Sequence, residues 1–186
     1  MRIVAGELRG RPIRTPPGEA TRPTSDRARQ AVFNILEHAP WSPGLEGARV
    51  LDVFAGSGAM GLEAISRGAA VALFVETAEP ALAAVRANIA AMGLGARARP
   101  LRQDATRIGR RAEGEVPFDV AFLDPPYGKG LGEQALVALS AGGWLAPKAL
   151  VVLEQGAAEP APAVPGFELL DERRYGAAKV LFLRLS

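Results

Sequence analysis

The chain has no cysteine and only one histidine, His38, in 186 residues. Without thiols it can form no disulfide, no thiolate nucleophile, no zinc ribbon and no iron–sulfur ligation. One histidine cannot supply a histidine-based triad or a multi-histidine centre, so no metal is expected. His38 itself reads as a solvated residue near a helix end. No apolar run approaches the ~18 residues of a membrane span. The opening MRIVAGELRGRPIRTPP is basic but lacks the apolar stretch of a secretory signal. A cytoplasmic location is the expectation.

Lysine is scarce as well: 19 of the 22 cationic residues are arginine. The net charge of +2 is unevenly spread. Within the first thirty residues seven arginines (Arg2, Arg9, Arg11, Arg14, Arg22, Arg27, Arg29) face only Glu7, Glu19 and Asp26, a balance of +4 that leaves −2 for the remainder. Basic arms of this kind often meet phosphate backbones. Arg9, Arg11 and Arg14 are the candidate RNA contacts; the alternative is a solvated arginine-rich face.

Residues 1–40 read as an extension of their own. Arg2-Ile3-Val4 and Pro12-Ile13-Arg14 flank a glycine-containing turn, as in a short hairpin. Pro23-Thr24-Ser25-Asp26 reads as a helix start, and Ala28, Ala31, Val32, Ile35 and Leu36 follow at helical spacing until Pro40. From 41 to 186, strand and helix alternate. Strands are predicted over Val50–Phe54, Ala72–Glu76, Arg97–Arg102, Phe118–Leu123 and Leu150–Leu153. Helices are predicted over Ser57–Arg67, from about Pro80 to Met92, and from about Leu131 onward. This alternation predicts a parallel, doubly wound sheet with helices on both faces. The end differs: Ala157–Pro165 is too rich in Ala and Pro for a helix, and Phe167–Tyr175 with Lys179–Leu185 reads as an antiparallel hairpin turning at Gly176-Ala177.

Two motifs carry chemistry. The first, Asp52-Val53-Phe54-Ala55-Gly56-Ser57-Gly58-Ala59-Met60-Gly61, joins the first sheet strand to its helix. Its glycines satisfy G-x-G-x-x-G, a pattern that lets backbone N–H groups approach a ligand at a helix N-terminus. A diphosphate suits that place, and so does a zwitterionic amino-acid tail. Asp52 favours the second reading, because a carboxylate there suits an ammonium or sulfonium better than a pyrophosphate. Gly61 could equally serve close helix–sheet packing. Glu76, ending the second strand, is placed to accept from both hydroxyls of a ribose. Asp104, after the third, either reaches an adenine amino group or caps a helix. The second motif is Leu123-Asp124-Pro125-Pro126-Tyr127-Gly128-Lys129-Gly130. Two prolines fix φ and remove N–H donors, so Asp124 and the Pro125 carbonyl form a stiff pair of acceptors beside an aromatic ring.

VLDVFAGSGAMGLEAISRGA, followed by Glu76 and LDPPY, resembles the class I S-adenosylmethionine-dependent methyltransferases, within the Asp-Pro-Pro-Tyr subgroup that methylates exocyclic amino nitrogens of nucleobases. MRIVAGELRGRPI and RPTSDRARQAVFNIL narrow this. Together they are similar to the bacterial 16S ribosomal RNA guanine-N2 methyltransferase family, which modifies guanine 966 of the small subunit. The resemblance implies a Rossmann-like, mostly parallel seven-stranded sheet ending in an antiparallel hairpin. It implies that the glycine loop Gly56–Gly58 holds the methionine part of S-adenosylmethionine, Glu76 its ribose and Asp104 its adenine, with Asp52, Phe54, Ala55 and Ser57 also counted as cofactor-binding. Asp124, Pro125, Pro126 and Tyr127 would hold the target base. The partner would be 16S ribosomal RNA or the assembling small subunit, and the protein a monomer. Thr24, Asp26 and Arg27 could close over the cofactor. Three rivals stay open: a DNA adenine-N6 methyltransferase, which usually needs a further recognition domain; an NAD-dependent oxidoreductase, which has no use for Asp-Pro-Pro-Tyr; and a non-catalytic RNA-binding module with a vestigial cofactor pocket.

Overall fold

The computed structural model describes residues 1–18 and 26–186. The expected helix start at Pro23-Thr24-Ser25, and the reading of Thr24 as a cofactor cover, lie outside the described residues. In chain order the elements are α1 (Asp26–His38), β1 (Arg49–Val53), α2 (Ala59–Ser66), β2 (Val71–Glu76), α3 (Glu79–Ala91), β3 (Ala98–Arg102), β4 (Phe118–Leu123), α4 (Leu131–Ala141), β5 (Leu145–Gly156), β6 (Phe167–Tyr175) and β7 (Ala178–Leu185). A single 3₁₀ turn, Ala105–Arg107, precedes β4. His38 is exposed and its Nδ1 lies 2.9 Å from the Asn34 carbonyl.

The strands form one seven-stranded sheet in the order β3-β2-β1-β4-β5-β7-β6. The first five are parallel, and β7 runs antiparallel to both β5 and β6. Successive side chains alternate between two apolar layers. Val50, Phe74, Phe122, Val152 and Phe182 face one layer with Phe33 of α1, Leu62 of α2 and Val85 of α3. Leu51, Leu73, Ala121 and Leu153 face the other with Leu136 and Leu139 of α4 and Trp144. Burial on both faces is why the central strands read as unbroken apolar runs rather than alternating ones.

Two boundaries differ from expectation for local backbone reasons. The first sheet helix begins at Ala59 rather than Ser57, because Gly58 sits in the left-handed region (φ 82) and caps the helix instead of entering it. The fifth strand is twelve residues long, far beyond its apolar segment Leu150–Leu153. Its early part is masked in sequence by Pro147. There the register against β4 slips, and Lys148 takes a positive φ of 65. Its late part, to Gly156, exists because β7 pairs with it.

The N-terminal hairpin is reduced to one bridge, Arg2 to Pro12. Its grip on the rest of the chain comes from side chains and from one backbone bond, Glu7 N–H to the Ser66 carbonyl (2.8 Å). Ile3 and Ile13 are buried in the first layer. The carboxylate of Glu63, fully buried on α2, accepts from the backbone N–H of Val4 (2.9 Å) and Ala5 (3.0 Å), and pairs with the buried Arg29 of α1 (3.4 Å) and with Arg67 (2.9 Å). Ser66 Oγ accepts from Leu8 N–H (2.9 Å) and donates to the Ala5 carbonyl (2.5 Å). Asn88 on α3 accepts from Arg14 N–H (2.8 Å) and donates to the Arg14 carbonyl (3.0 Å). Among the described residues, no helix is long and apolar enough to cross a membrane.

Candidate active site

The sheet order reverses between β1 and β4, and at that point the carboxyl ends of the strands open a crevice. A cavity of about 660 Å³ occupies it, within the range of small-molecule sites. Nine of the residues singled out from sequence line it: Asp52, Phe54, Ala55, Gly56 and Ser57 from the β1–α2 connection, Glu76 ending β2, Asp104 after β3, and Asp124 and Pro126 after β4. Gly58 lies just behind this wall. Pro125 and Tyr127 face a second, smaller cavity of about 250 Å³ on the other side of the Asp-Pro-Pro-Tyr loop. Arg9, Arg11 and Arg14 lie outside both, exposed on the extension; a guanidinium N–H of Arg11 donates to the Ala91 carbonyl at the end of α3.

Backbone geometry shapes the loop half. Gly56 and Phe54 both take positive φ (55 and 57), a conformation that costs a non-glycine residue like Phe54 on the order of 1 kcal/mol or more. Gly61 makes room for packing: a Cβ there would sit 2.5 Å from the Phe74 ring. The Gly61 N–H donates to Asp52 Oδ2 at 2.9 Å. Thus the third glycine serves helix–sheet contact and also fixes the Asp52 carboxyl.

The acids differ in their surroundings. Asp52 is 3% exposed. Burial pushes its carboxyl from the ordinary 3.8 up to about 8, opposed by the Gly61 N–H and reinforced by the negative charges of Asp124 and Glu76. Glu76 accepts from Gly56 N–H (3.0 Å) through one oxygen and from Ala78 N–H (3.2 Å) through the other. A carboxylate has about four acceptor sites, so two hydroxyls can still be held. Asp104 caps the 3₁₀ turn: Oδ1 accepts from Thr106 Oγ1 (2.7 Å) and Thr106 N–H (2.9 Å), which hold its carboxyl below the usual value. The cap accounts for Oδ1, and the residue still lines the cavity.

Asp52 sets a pH dependence. Its folded value lies above its unfolded one, so the folded chain binds more protons between about pH 4 and pH 8. Stability therefore falls as pH rises through that window, by at most about 1.4 kcal/mol per pH unit. In denaturant titrations across pH 5–8, Asp52→Asn removes this slope; an unaltered slope means Asp52 is ionised throughout.

The far half of the cavity holds residues that sequence reasoning missed. Glu154 near the end of β5, Tyr175 at the end of β6, and Val180 of β7 line it. Tyr127 Oη donates to Glu154 Oε1 at 2.5 Å. The signal for Glu154 was present: an acid directly after the apolar run Leu150–Leu153, the pattern that picked out Glu76 and Asp124. Behind the loop, Glu159 Oε1 accepts from Gly128 N–H (2.8 Å) and Gly156 N–H (3.2 Å), tying Asp-Pro-Pro-Tyr to the end of β5.

Sheet order, switch point and acid-lined carboxyl edge define a Rossmann-like α/β protein. More narrowly, the chain belongs to the family described as "Conserved hypothetical protein 95", whose profile it matches over residues 1–184. It is 38% identical over 165 residues to ribosomal RNA small subunit methyltransferase D of Escherichia coli K12, covering 89% of this chain and 79% of that one. It is 33% identical over 177 residues to the protein of the same name in Haemophilus influenzae (95% and 89% covered). Among solved structures, an Escherichia coli chain provisionally called the methyltransferase yhhF superposes with a TM-score of 0.84 at 35% identity, covering all of this chain and 97% of that one.

Proposed function

We propose that the chain transfers a methyl group from S-adenosylmethionine to the exocyclic N2 of a guanine in small-subunit ribosomal RNA, guanine 966 in the family's numbering. The observation that carries this is the meeting, at one cavity, of the acid-lined glycine loop with Asp124 and Pro126 of the Asp-Pro-Pro-Tyr loop. Relatives named as small-subunit RNA methyltransferases support the substrate class.

The residues fit the cofactor. Asp52, strongly reluctant to ionise when alone, is suited to a cationic partner whose charge would favour the carboxylate, the proton leaving to solvent. The N–H groups of Gly56 and Gly58 donate to Glu76 and to the Ala55 carbonyl, so the turn offers an amino-acid tail close approach rather than those two donors. Glu76 has acceptor sites left for a ribose, and Asp104 faces the cavity where an adenine amino group would lie. When bound, S-adenosylmethionine supplies an electrophilic methyl carbon. Everything else falls to the chain. The N2 lone pair of guanine is delocalised into its ring and is a poor nucleophile. Asp124 and the Pro125 carbonyl accept from the amino group and hold its lone pair out of conjugation. Pro126 lines the cavity beside them, and Tyr127, whose hydroxyl reaches Glu154 of that cavity, is assigned the stacking of the base, worth roughly 1–3 kcal/mol per base. Alignment supplies most of the acceleration. A base within a helix must first leave its stack.

The arm carrying Arg9, Arg11 and Arg14 would position the RNA through phosphates rather than choose the base. A bacterial ribosomal RNA substrate supports a cytoplasmic reaction. The experiment is labelled-methyl transfer onto small subunits lacking the modification, with the labelled nucleotide mapped and hydrolysed. A single N2-methylguanine is expected. Label at an adenine N6, or none, overturns the reading.

A further inference from the structure

We propose that Glu154 reads the Watson–Crick edge of the target base and makes the site selective for guanine over the other bases that carry an amino group. This rests on the reading of the site as a guanine-N2 methyltransferase.

The cavity divides into two halves. The glycine loop, Glu76 and Asp104 line one, and Asp124, Pro126, Glu154 and Tyr175 line the other. The parallel register pairs Leu123 of β4 with Leu153 of β5. Asp124, just past the end of β4, and Glu154, two residues short of the end of β5, are each one residue further on and therefore stand level, about 4.8 Å apart in the sheet direction. Leu123 and Leu153 both face the α4 layer, whereas Phe122 and Val152 face the other. By alternation Glu154 lies on the side of Val152, the side on which the cavity opens. Val152 of β5 and Val180 of β7, the antiparallel partner of Glu154, give that half an apolar floor on which a flat ring can lie. The Tyr127 hydroxyl, donating to Oε1 at 2.5 Å, fixes the orientation of the carboxylate. A carboxylate offers about four acceptor sites in all.

An acceptor-only group in that position separates the bases. In guanine the amino N2 adjoins N1–H, so the edge shows two donors side by side. In adenine the amino group adjoins a ring nitrogen with a lone pair, and cytosine does the same. With Asp124 accepting from the amino group, Glu154 meets the neighbouring ring position. Guanine donates to it. Adenine or cytosine would set a lone pair against a half-buried carboxylate, leaving two acceptors facing each other.

The test uses the full-length chain and small subunits reconstituted with RNA carrying guanine or 2-aminopurine at the acceptor nucleotide. 2-Aminopurine keeps the amino group but lacks N1–H. The unaltered chain should prefer guanine by about 100-fold or more in kcat/KM. Glu154→Gln, whose amide can donate to a ring nitrogen, should bring the ratio to within about tenfold, with the Kd for S-adenosylmethionine unchanged. Glu154→Ala should narrow it as well, by slowing guanine alone. If either variant slows both bases equally, Glu154 only holds Tyr127, and the proposal is overturned while the guanine-N2 reading stands. If the unaltered chain transfers no methyl to guanine N2, both fall.

Discussion

Asp124→Ala should lower methyl transfer by about 10³-fold while S-adenosylmethionine still binds. The expected size follows from removing a preorganised charged partner of the reacting group, which typically costs 10²–10³-fold in rate. Asp124 is exposed, like Asp104 and unlike the buried Asp52, and stands at the first position past the end of β4. Its own N–H is held to the Val53 carbonyl (3.4 Å), which ties it to β1, the strand that carries the glycine loop. The two halves of the cavity are thus set one against the other by a backbone contact. Cofactor affinity should survive, or rise slightly, because the negative charge of Asp124 is one of the influences pushing the Asp52 carboxyl upward. Removing it makes Asp52 easier to ionise for a cationic partner. Asp124→Asn keeps one acceptor oxygen and should lose less, on the order of 10–100-fold. Single-turnover transfer and calorimetric cofactor titration separate these outcomes. A rate within tenfold of the unaltered chain would sink the assigned role.

The loop half of the cavity was legible in the sequence because it obeys chain order. In a parallel sheet each strand delivers its next residue to the same edge, so Asp52, Glu76, Asp104 and Asp124 could be placed together without coordinates. The far half obeys a different rule. Glu154, Tyr175 and Val180 meet only because β7 inserts between β5 and β6, a lateral order that no periodicity encodes. Tyr127 shows the same limit. Its position in the motif marks it for the base, but its hydroxyl is held by a residue 27 positions away. The longer β5 was hidden by Pro147, and the helix start at Ala59 by a Gly58 whose left-handed turn looks like any other glycine in text. Glu63 was invisible for a further reason: in GLEAIS it occupies a helical position that ordinarily faces water, and burial reverses its meaning.

That reversal makes Glu63 the position with the largest expected effect on stability. It is fully buried, yet charged, and it is the shared partner of two buried guanidinium groups and two backbone N–H groups from the arm. Arg29 has further support from Asp26 (3.0 Å) and the Arg2 carbonyl. Arg67 has Glu37 (3.3 Å) and the face of the Phe33 ring (4.9 Å). Even so, one Arg67 nitrogen is buried with no hydrogen-bond partner among the described residues, so little slack exists to absorb a lost acceptor. Glu63→Ala should cost about 3–5 kcal/mol, the range for uncovering a buried charge, and lower Tm by roughly 10 °C. Glu63→Gln should recover little, since its amide N–H₂ would face a guanidinium. The arm is what the two N–H bonds hold, so its loosening should also weaken RNA binding at temperatures where the variant is folded. Arg9→Ala with Arg14→Ala provides the contrast. Both residues are exposed, so Tm should stay put, whereas the slope of log affinity against log salt should shrink by about two. A Tm loss below about 1 kcal/mol equivalent for Glu63→Ala would mean the ion cluster is compensated elsewhere. A salt slope unmoved by the arginine pair would mean the arm braces the fold and leaves the RNA to other surfaces.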